Sequence, residues 1–240
     1  MENKDYSQIM GSSSSPYVNG LANQCALATN YHAVTHPSLP NYLAMTSGGT
    51  QGVTDDAAPS SHPLGAASIF SQLGAGWRAL QESMPSNCAL TSSGRYAVKH
   101  NPAAYFTKVR SACASQDVPL GSTPDIGAAY TFVTPNLCND THDCSIQTGD
   151  NWLKGFIPKL TGTAQYQAGD TAIFLTWDEN DGSTSNHVPL IAVAPPVTPG
   201  TKSSGSFTHY SLLRTNEEML GLPPLGNAAT AASMRVALGL

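Results

Sequence analysis

Ser38 lies in the run Tyr31-His32-Ala33-Val34-Thr35-His36-Pro37-Ser38-Leu39-Pro40-Asn41-Tyr42, with a proline on either side of it. Pro37 and Pro40 fix the local backbone and remove two amide donors, so the segment is expected to be a shaped loop rather than a helix interior or a central strand. Such a loop presents the Ser38 hydroxyl as a nucleophile candidate. A serine hydroxyl is a weak nucleophile at neutral pH, but a divalent cation lowers the pKa of a coordinated oxygen and neutralises a phosphoryl group held in line with it. Hard oxygen ligands stand upstream of this run in Glu2-Asn3 and far downstream in Trp177-Asp178-Glu179-Asn180-Asp181. Carboxylates crowded into one turn repel each other unless a cation sits among them. Taken alone, the acidic turn reads equally well as a solvated surface turn. Asn186-His187 follows within a few residues and adds an imidazole to the same rim, a donor mixture suited to a divalent metal. Asp140-Thr141-His142-Asp143 and His100-Asn101-Pro102 are two further polar clusters. A lone histidine is more often structural than catalytic, which is the reading kept for His62 and His209, with His32 and His36 only a little above it. Tyr31, Tyr42, Trp77 and Trp152 read as core or rim aromatics.

The elements that must position these groups are legible in outline. Thr171 to Trp177 is a short apolar run rich in β-formers and is expected as a buried strand ending at Asp178; Val188 to Val193 is the next strand, so two strands flank the acidic turn. Ala66 to Met84, Asn151 to Leu160 and Tyr210 to Leu220 show helical spacing, the last beginning near Thr208-His209 and stopping at Gly221 before Pro223. Gly48 to Pro63 and Pro195 to Ser206 read as loops, and there is no internal repeat. The alternation predicts an α/β fold with a central, mostly parallel sheet flanked by helices, in one domain over residues 1–240. In open α/β sheets, ligand sites lie beyond the carboxyl ends of strands, where Asp178 and Glu179 are expected.

Composition narrows the function classes. Only 11% of the 240 residues are charged, a deficit filled by small and polar residues that suits an exported protein. With 11 Lys plus Arg and a net charge of -5 there is no basic stripe, which argues against a nucleic-acid partner. No apolar stretch is long enough to span a membrane, and the N-terminus lacks the pattern of a signal peptide, so an exported protein would have lost its leader. The five cysteines lack the C-x-x-C spacing of a zinc site. Pairings Cys138–Cys144 and Cys88–Cys113 are expected, with Cys25 free, against the alternative that all five are reduced. A monomer is expected.

The chain resembles the bacterial phosphoesterase family of secreted acid phosphatases and phospholipases C, within the wider alkaline phosphatase superfamily. The resemblance runs through Met1-Glu2-Asn3-Lys4, His36 to Tyr42, Lys99-His100-Asn101-Pro102, Cys138 to Cys144, Thr176 to Asn180 with Asn186-His187, and Thr208 to Leu213. It implies a metal site of Glu2, Asn3, Ser38, Asp178 and Glu179, with Ser38 in the place of the family's hydroxyl nucleophile. It also implies that Asn41, His100, Asn101 and Asp140 handle the phosphate or a second metal, and that His142 or His187 serves the leaving oxygen. The implied cofactor is a divalent metal ion: calcium, magnesium, manganese or zinc. The implied activity is an acid phosphatase acting on phosphate esters, phosphoinositides among them, through a phosphoserine. A phospholipase C acting on lipid headgroups and a non-catalytic phosphate- or metal-binding module are the alternatives. In the family the Glu-Asn pair follows a central apolar strand, whereas here Glu2 directly follows Met1. Either the start is truncated, which would leave a buried strand slot open and Glu2 poorly positioned, or the pair is anchored without that strand.

Overall fold

The computed structural model describes all residues except Thr184. Its strands are β1 (Ala26–Ala28), β2 (Tyr31–His32), β3 (Trp77–Gln81), β4 (Asp117–Pro119), β5 (Tyr130–Thr134), β6 (Ile173–Thr176), β7 (Leu190–Val193), β8 (Lys202–Ser203) and β9 (Phe207–Thr208). Its helices are α1 (Tyr6–Ile9), α2 (Pro16–Gln24), α3 (Ser38–Ser47), α4 (Ile69–Leu73), α5 (Cys113–Gln116), α6 (Ile146–Thr161), α7 (Ala164–Gln167) and α8 (His209–Met219). The expected α/β class is borne out. Among the described residues three hydrogen-bonded sheets form, in the orders β4-β3-β5, β6-β7-β1-β8 and β2-β9. The first and last are parallel throughout; in the second, β6 and β1 run antiparallel to β7 while β8 pairs parallel with β1.

Two apolar cores hold these layers. Leu153, Phe156, Ile157 and Leu160 recur at helical spacing on α6 and pack with Val18 and Leu21 of α2 against Leu27, Leu190 and Ile191 of the second sheet. Leu39 and Leu43 of α3 pack with Phe70, Trp77 and Phe106 in the other core. Helix α8 joins the two, since Leu212 belongs to the first and Leu213 to the second. Its start is fixed by a capping box in which Thr208 accepts from the Ser211 amide and the Ser211 side chain returns to the Thr208 amide.

Three expectations need correction. Ala66 to Met84 is not one helix: α4 stops at Leu73, Gly74 takes φ +59°, and the chain restarts as β3 at Trp77. The Gly-Ala-Gly step breaks the helix where spacing of apolar residues alone suggested continuity. Ser38 does not sit in a loop; it is the first residue of the ten-residue α3, and Pro40 falls in the first turn, where a missing N–H costs no intrahelical bond. Lys202 and Ser203, inside the segment read as a loop, form a short edge strand on β1. Helix α3 ends at Gly48, which has φ +74° and lies so close to Leu225 that a Cβ there would be 2.0 Å from its carbonyl oxygen. The Cys88–Cys113 and Cys138–Cys144 bridges form, and Cys25 is free. No helix among the described residues is long and apolar enough to cross a membrane.

The exposed edges of β5 and β6 face a cavity of about 610 Å3, lined also by Met1, Trp152, Phe156 and Leu212. Glu2 is not left loose beside it. The Met1 amino group donates to Thr176 O, the Asp178 amide donates to Met1 O at 3.0 Å, and the Glu2 amide donates to Asp140 O at 2.7 Å. These bonds anchor the Glu2-Asn3 pair on the end of β6 and on the 140 loop, with Glu2 completely buried.

Candidate active site

The carboxyl ends of β5 and β6 converge on one acidic cluster. Beyond β6, Asp178 and Glu179 are nearly buried, and Thr134, the last residue of β5, donates its hydroxyl to the His100 carbonyl at 3.0 Å. Helix α3 brings Ser38 into the same place. The Ser38 hydroxyl lies 3.2 Å from Glu2 Oε2 and 3.1 Å from Glu179 Oε1, and is itself almost inaccessible. Being at the start of a helix, it stands where backbone dipoles favour negative charge.

Glu2 is the hub. Besides Ser38 it receives the Tyr42 hydroxyl on Oε1, and His100 Nε2 stands 3.2 Å from Oε2. His100 Nδ1 is 3.5 Å from Asp140 Oδ2, so Glu2, His100 and Asp140 form a compact group of metal-capable donors. Burial and the charges of Asp178 and Asp140 push the Glu2 carboxyl well above the usual range. Burial likewise pushes Asp140 up to about 6, and burial with the charge of Asp178 pushes Glu179 up to about 7. His100 moves the other way, to about 3, because burial penalises the imidazolium. A neutral imidazole among carboxylates has a free ring nitrogen that suits a metal ion.

Whether these residues suit a divalent cation is tested by their unsatisfied atoms. Asn3 Oδ1, His100 Nε2, Asp140 Oδ2 and Asp178 Oδ2 are all buried without a hydrogen-bond partner. Such atoms cost roughly 1–3 kcal/mol each when left unpaired, and a cation bound between these residues would satisfy them. The donors fit such an ion.

Of the residues singled out from sequence, Glu2, Asn3, Ser38, Asp178, Glu179, His100 and Asp140 are brought together here. His142 stands at the edge, its ring centroid 5.9 Å from that of His100, with Nδ1 2.7 Å from Asp143 Oδ1. Asn41, Asn101 and His187 are engaged elsewhere. The Asn41 side chain accepts from the Val34 and Thr35 amides and donates to the Thr35 and Pro37 carbonyls, strapping the approach loop onto α3. Asn101 donates to both carboxylate oxygens of Asp117, at 2.9 Å. His187 stacks on Tyr6 and His32, and its Nε2 meets Thr29 O at 3.1 Å.

Four residues gained importance that sequence reasoning missed. His36 places Nδ1 on Glu179 Oε2, on the face of that carboxylate away from Ser38. Tyr42 sits one turn along α3 from Ser38, and its ring stacks on His100 at 5.3 Å. Their positions two before and four after Ser38 were the available signal. Asp56 accepts from the Leu39 amide at 3.0 Å and from Lys99 Nζ at 2.8 Å, and nothing local in the sequence marks it. His209, read as structural, accepts or donates between Tyr31 Oη at 2.8 Å and Asp178 O at 2.6 Å, and so holds the acidic turn in place.

Comparison with known proteins gives the family of the chain. The model of the Phosphoesterase family matches residues 1–223. A phosphatidylinositol-3-phosphatase of Mycobacterium tuberculosis is 34% identical over 239 residues, covering 96% of this chain and 78% of that protein. A probable acid phosphatase of Kluyveromyces lactis is also 34% identical, covering 94% of this chain but only 58% of its own length. Among solved structures, an alkaline phosphatase superfamily protein from Vibrio parahaemolyticus superposes with a TM-score of 0.67 at 13% identity, over 99% of this chain and 70% of that one. That likeness concerns the fold, which is the fold of the superfamily. By its sequence over nearly its whole length, the chain belongs to the phosphoesterase family.

Proposed function

We propose that this chain is a metal-dependent phosphomonoesterase that works through a phosphoserine at Ser38. The observation that carries the reading is the placement of the Ser38 hydroxyl, at a helix start, between two buried carboxylates, beside four unsatisfied buried donor atoms. Glu2, Asn3, Asp178, Glu179 and Ser38, with His100 and Asp140 as adjacent donors, would hold a divalent cation, which would supply Lewis acidity to the serine oxygen and offset phosphoryl charge. Calcium, magnesium, manganese and zinc are the candidates, and the His100 nitrogen weighs towards zinc.

In the first step Ser38 Oγ forms a bond to phosphorus while the bond to the alcohol oxygen breaks, and the serine proton passes to Glu179, which His36 backs. His142, oriented by Asp143 at the mouth of the site, gives a proton to the departing alkoxide. Water then attacks phosphorus, His142 takes its proton, and the Ser38–phosphorus bond breaks to release phosphate while Glu179 returns its proton to Ser38 Oγ. The likeness to a phosphatase named for a phosphoinositide supports a lipid headgroup phosphate as one substrate. The two disulfides support a secreted or cell-surface location.

The test is release of inorganic phosphate from an aryl phosphate by the purified protein, before and after chelation and after readdition of each candidate metal. Phosphate release that chelation abolishes and metal restores is expected. Release of a phosphorylated headgroup from a diester instead would favour the phospholipase C reading, and binding of phosphate without turnover would favour a binding module.

Metal uptake is also expected to release protons. At pH 5 to 6 the raised carboxyls of Glu2, Asp140 and Glu179 retain protons in protein stripped of metal, and a cation displaces them. Apparent metal affinity should therefore rise between pH 5 and pH 7. Calorimetric titration at pH 5.5 in buffers of different ionisation enthalpy checks this, and an identical heat in all buffers would contradict it.

A further inference from the structure

Four carboxylates, Glu2, Asp140, Asp178 and Glu179, crowd the site, and one divalent cation leaves it net negative. An incoming phosphate monoester carries two negative charges near neutral pH, so the site needs a cation of its own on the substrate side. Lys4 turns its ammonium to Asn3 O at 3.0 Å. Lys99 is placed differently. It immediately precedes His100, and its side chain is about one-fifth exposed. Together with Asp56, Ser92 and His142, the proposed proton donor, it lines a cleft of about 390 Å3, and the carboxylates of Glu2 and Asp178 are near enough to act on its ammonium. Its ammonium donates one hydrogen bond to Asp56 Oδ2 at 2.8 Å, and an ammonium has three N–H groups, so two remain for a ligand.

Asp56 gives this lysine a fixed relation to the nucleophile. Its second oxygen, Oδ1, accepts from the amide of Leu39, the residue directly after Ser38. One carboxylate thus ties the Lys99 ammonium to the first turn of α3, and any shift of that turn carries both groups together. Restrained in this way, a long side chain loses less freedom when it meets a ligand.

We propose that Lys99, positioned by Asp56, binds a non-bridging oxygen of the substrate phosphate and so selects monoester dianions over diester monoanions, with the leaving alcohol lying in the cleft towards Ser92 and His142. The assignment rests on the phosphomonoesterase reading of the site, which it deepens. Lys99 reads charge: a dianion places a full extra charge beside the ammonium, and a diester does not. Asp56 is a positioning residue that acts through Lys99.

The test uses the metal-loaded protein at pH 8, with inorganic phosphate as the dianion and dimethyl phosphate as the monoanion, both measured by calorimetric titration. Lys99→Met should weaken phosphate binding about tenfold or more, the usual loss for a charge-assisted hydrogen bond, and dimethyl phosphate binding by less than about threefold. Lys99→Arg should restore most of the preference. Asp56→Asn should give an intermediate loss with the same selectivity, which a merely structural defect would not reproduce. Thermal melting of each variant identifies any that fails to fold, and Lys99→Arg then carries the comparison. An equal loss for both anions in Lys99→Met, no loss for phosphate, or a wild-type protein that does not distinguish the anions would overturn the proposal. Lys99-dependent phosphate binding in a protein without phosphatase activity would sustain the Lys99 assignment while removing the hydrolase reading, so the two fail separately.

Discussion

Ser38→Ala is expected to lower turnover of an aryl phosphate by about three orders of magnitude or more, the scale found when a covalent nucleophile is removed. The fold should survive. Ser38 is the first residue of α3, a position where alanine is well tolerated, and the substitution removes only one oxygen from a site whose apolar packing comes from Leu39 and Leu43. Two hydrogen bonds are lost, to Glu2 and Glu179, but these carboxylates keep Tyr42 and His36 as partners. Melting temperature under chelation should therefore move little, while kcat in the presence of metal collapses. Affinity for inorganic phosphate should be largely retained, because the groups proposed to hold the phosphoryl oxygens are untouched. Rapid quenching of wild-type protein after brief exposure to labelled substrate at low pH should trap one phosphoryl group per chain, and Ser38→Ala should trap none. An alanine variant with normal turnover would sink the nucleophile assignment; a variant with lost turnover but undiminished trapping would move the nucleophile to another residue.

What the sequence made legible and what it hid divide along physical lines. The acidic turn after β6 was readable because a β-rich apolar run ends abruptly in carboxylates, a pattern carried by neighbouring residues. The α6 helix was readable because Leu153, Phe156, Ile157 and Leu160 repeat its period. The Cys138–Cys144 bridge was suggested by the short polar loop the two residues enclose, whereas nothing in the spacing of Cys88 and Cys113 singles out their pairing. By contrast, Asp56 lies in a polar stretch with no local mark, and its value comes only from meeting Leu39 and Lys99 in space. Asn41 and Asn101 show the converse error. Their side chains suit a phosphate, yet the backbone and Asp117 engage them, and residue type does not reveal which partner wins. Ser38 was drawn out of the helix by its flanking prolines, although a helix tolerates proline in its first turn. The Ala66 to Met84 stretch failed because apolar spacing continued through a glycine pair that the backbone did not follow.

Glu2→Gln should separate the two costs that this site imposes. Glu2 is completely buried, and Ser38, Tyr42 and His100 all converge on it. As a charge it is repelled by Asp178 and Asp140, which is why its carboxyl is pushed up after burial has already raised it. Glutamine keeps the shape and one acceptor oxygen but removes that charge. In protein stripped of metal, the variant should be more stable than wild type by about 1 to 2 kcal/mol at pH 8, since active sites hold groups that cost stability. The pH dependence gives the sign. Carboxyls raised in the folded state bind protons that the unfolded chain has already lost, so wild-type stability is greatest on the acid side and falls as pH rises through the folded values, about 6 for Asp140 and about 7 for Glu179. Glu2→Gln should flatten this decline, because one of the three raised carboxyls is gone and the other two repel less. With metal present the order reverses: the cation compensates the charge in wild type, and the variant loses metal affinity by an expected 100-fold or more, roughly 2.7 kcal/mol. Phosphatase activity should fall with it. Thermal melting at pH 5 and pH 8, with chelator and with metal, reads all four states. A variant less stable than wild type under chelation at pH 8 would mean that Glu2 contributes more through its hydrogen bonds than it costs through repulsion, and the cluster would then be a structural network rather than a site held under strain for a cation.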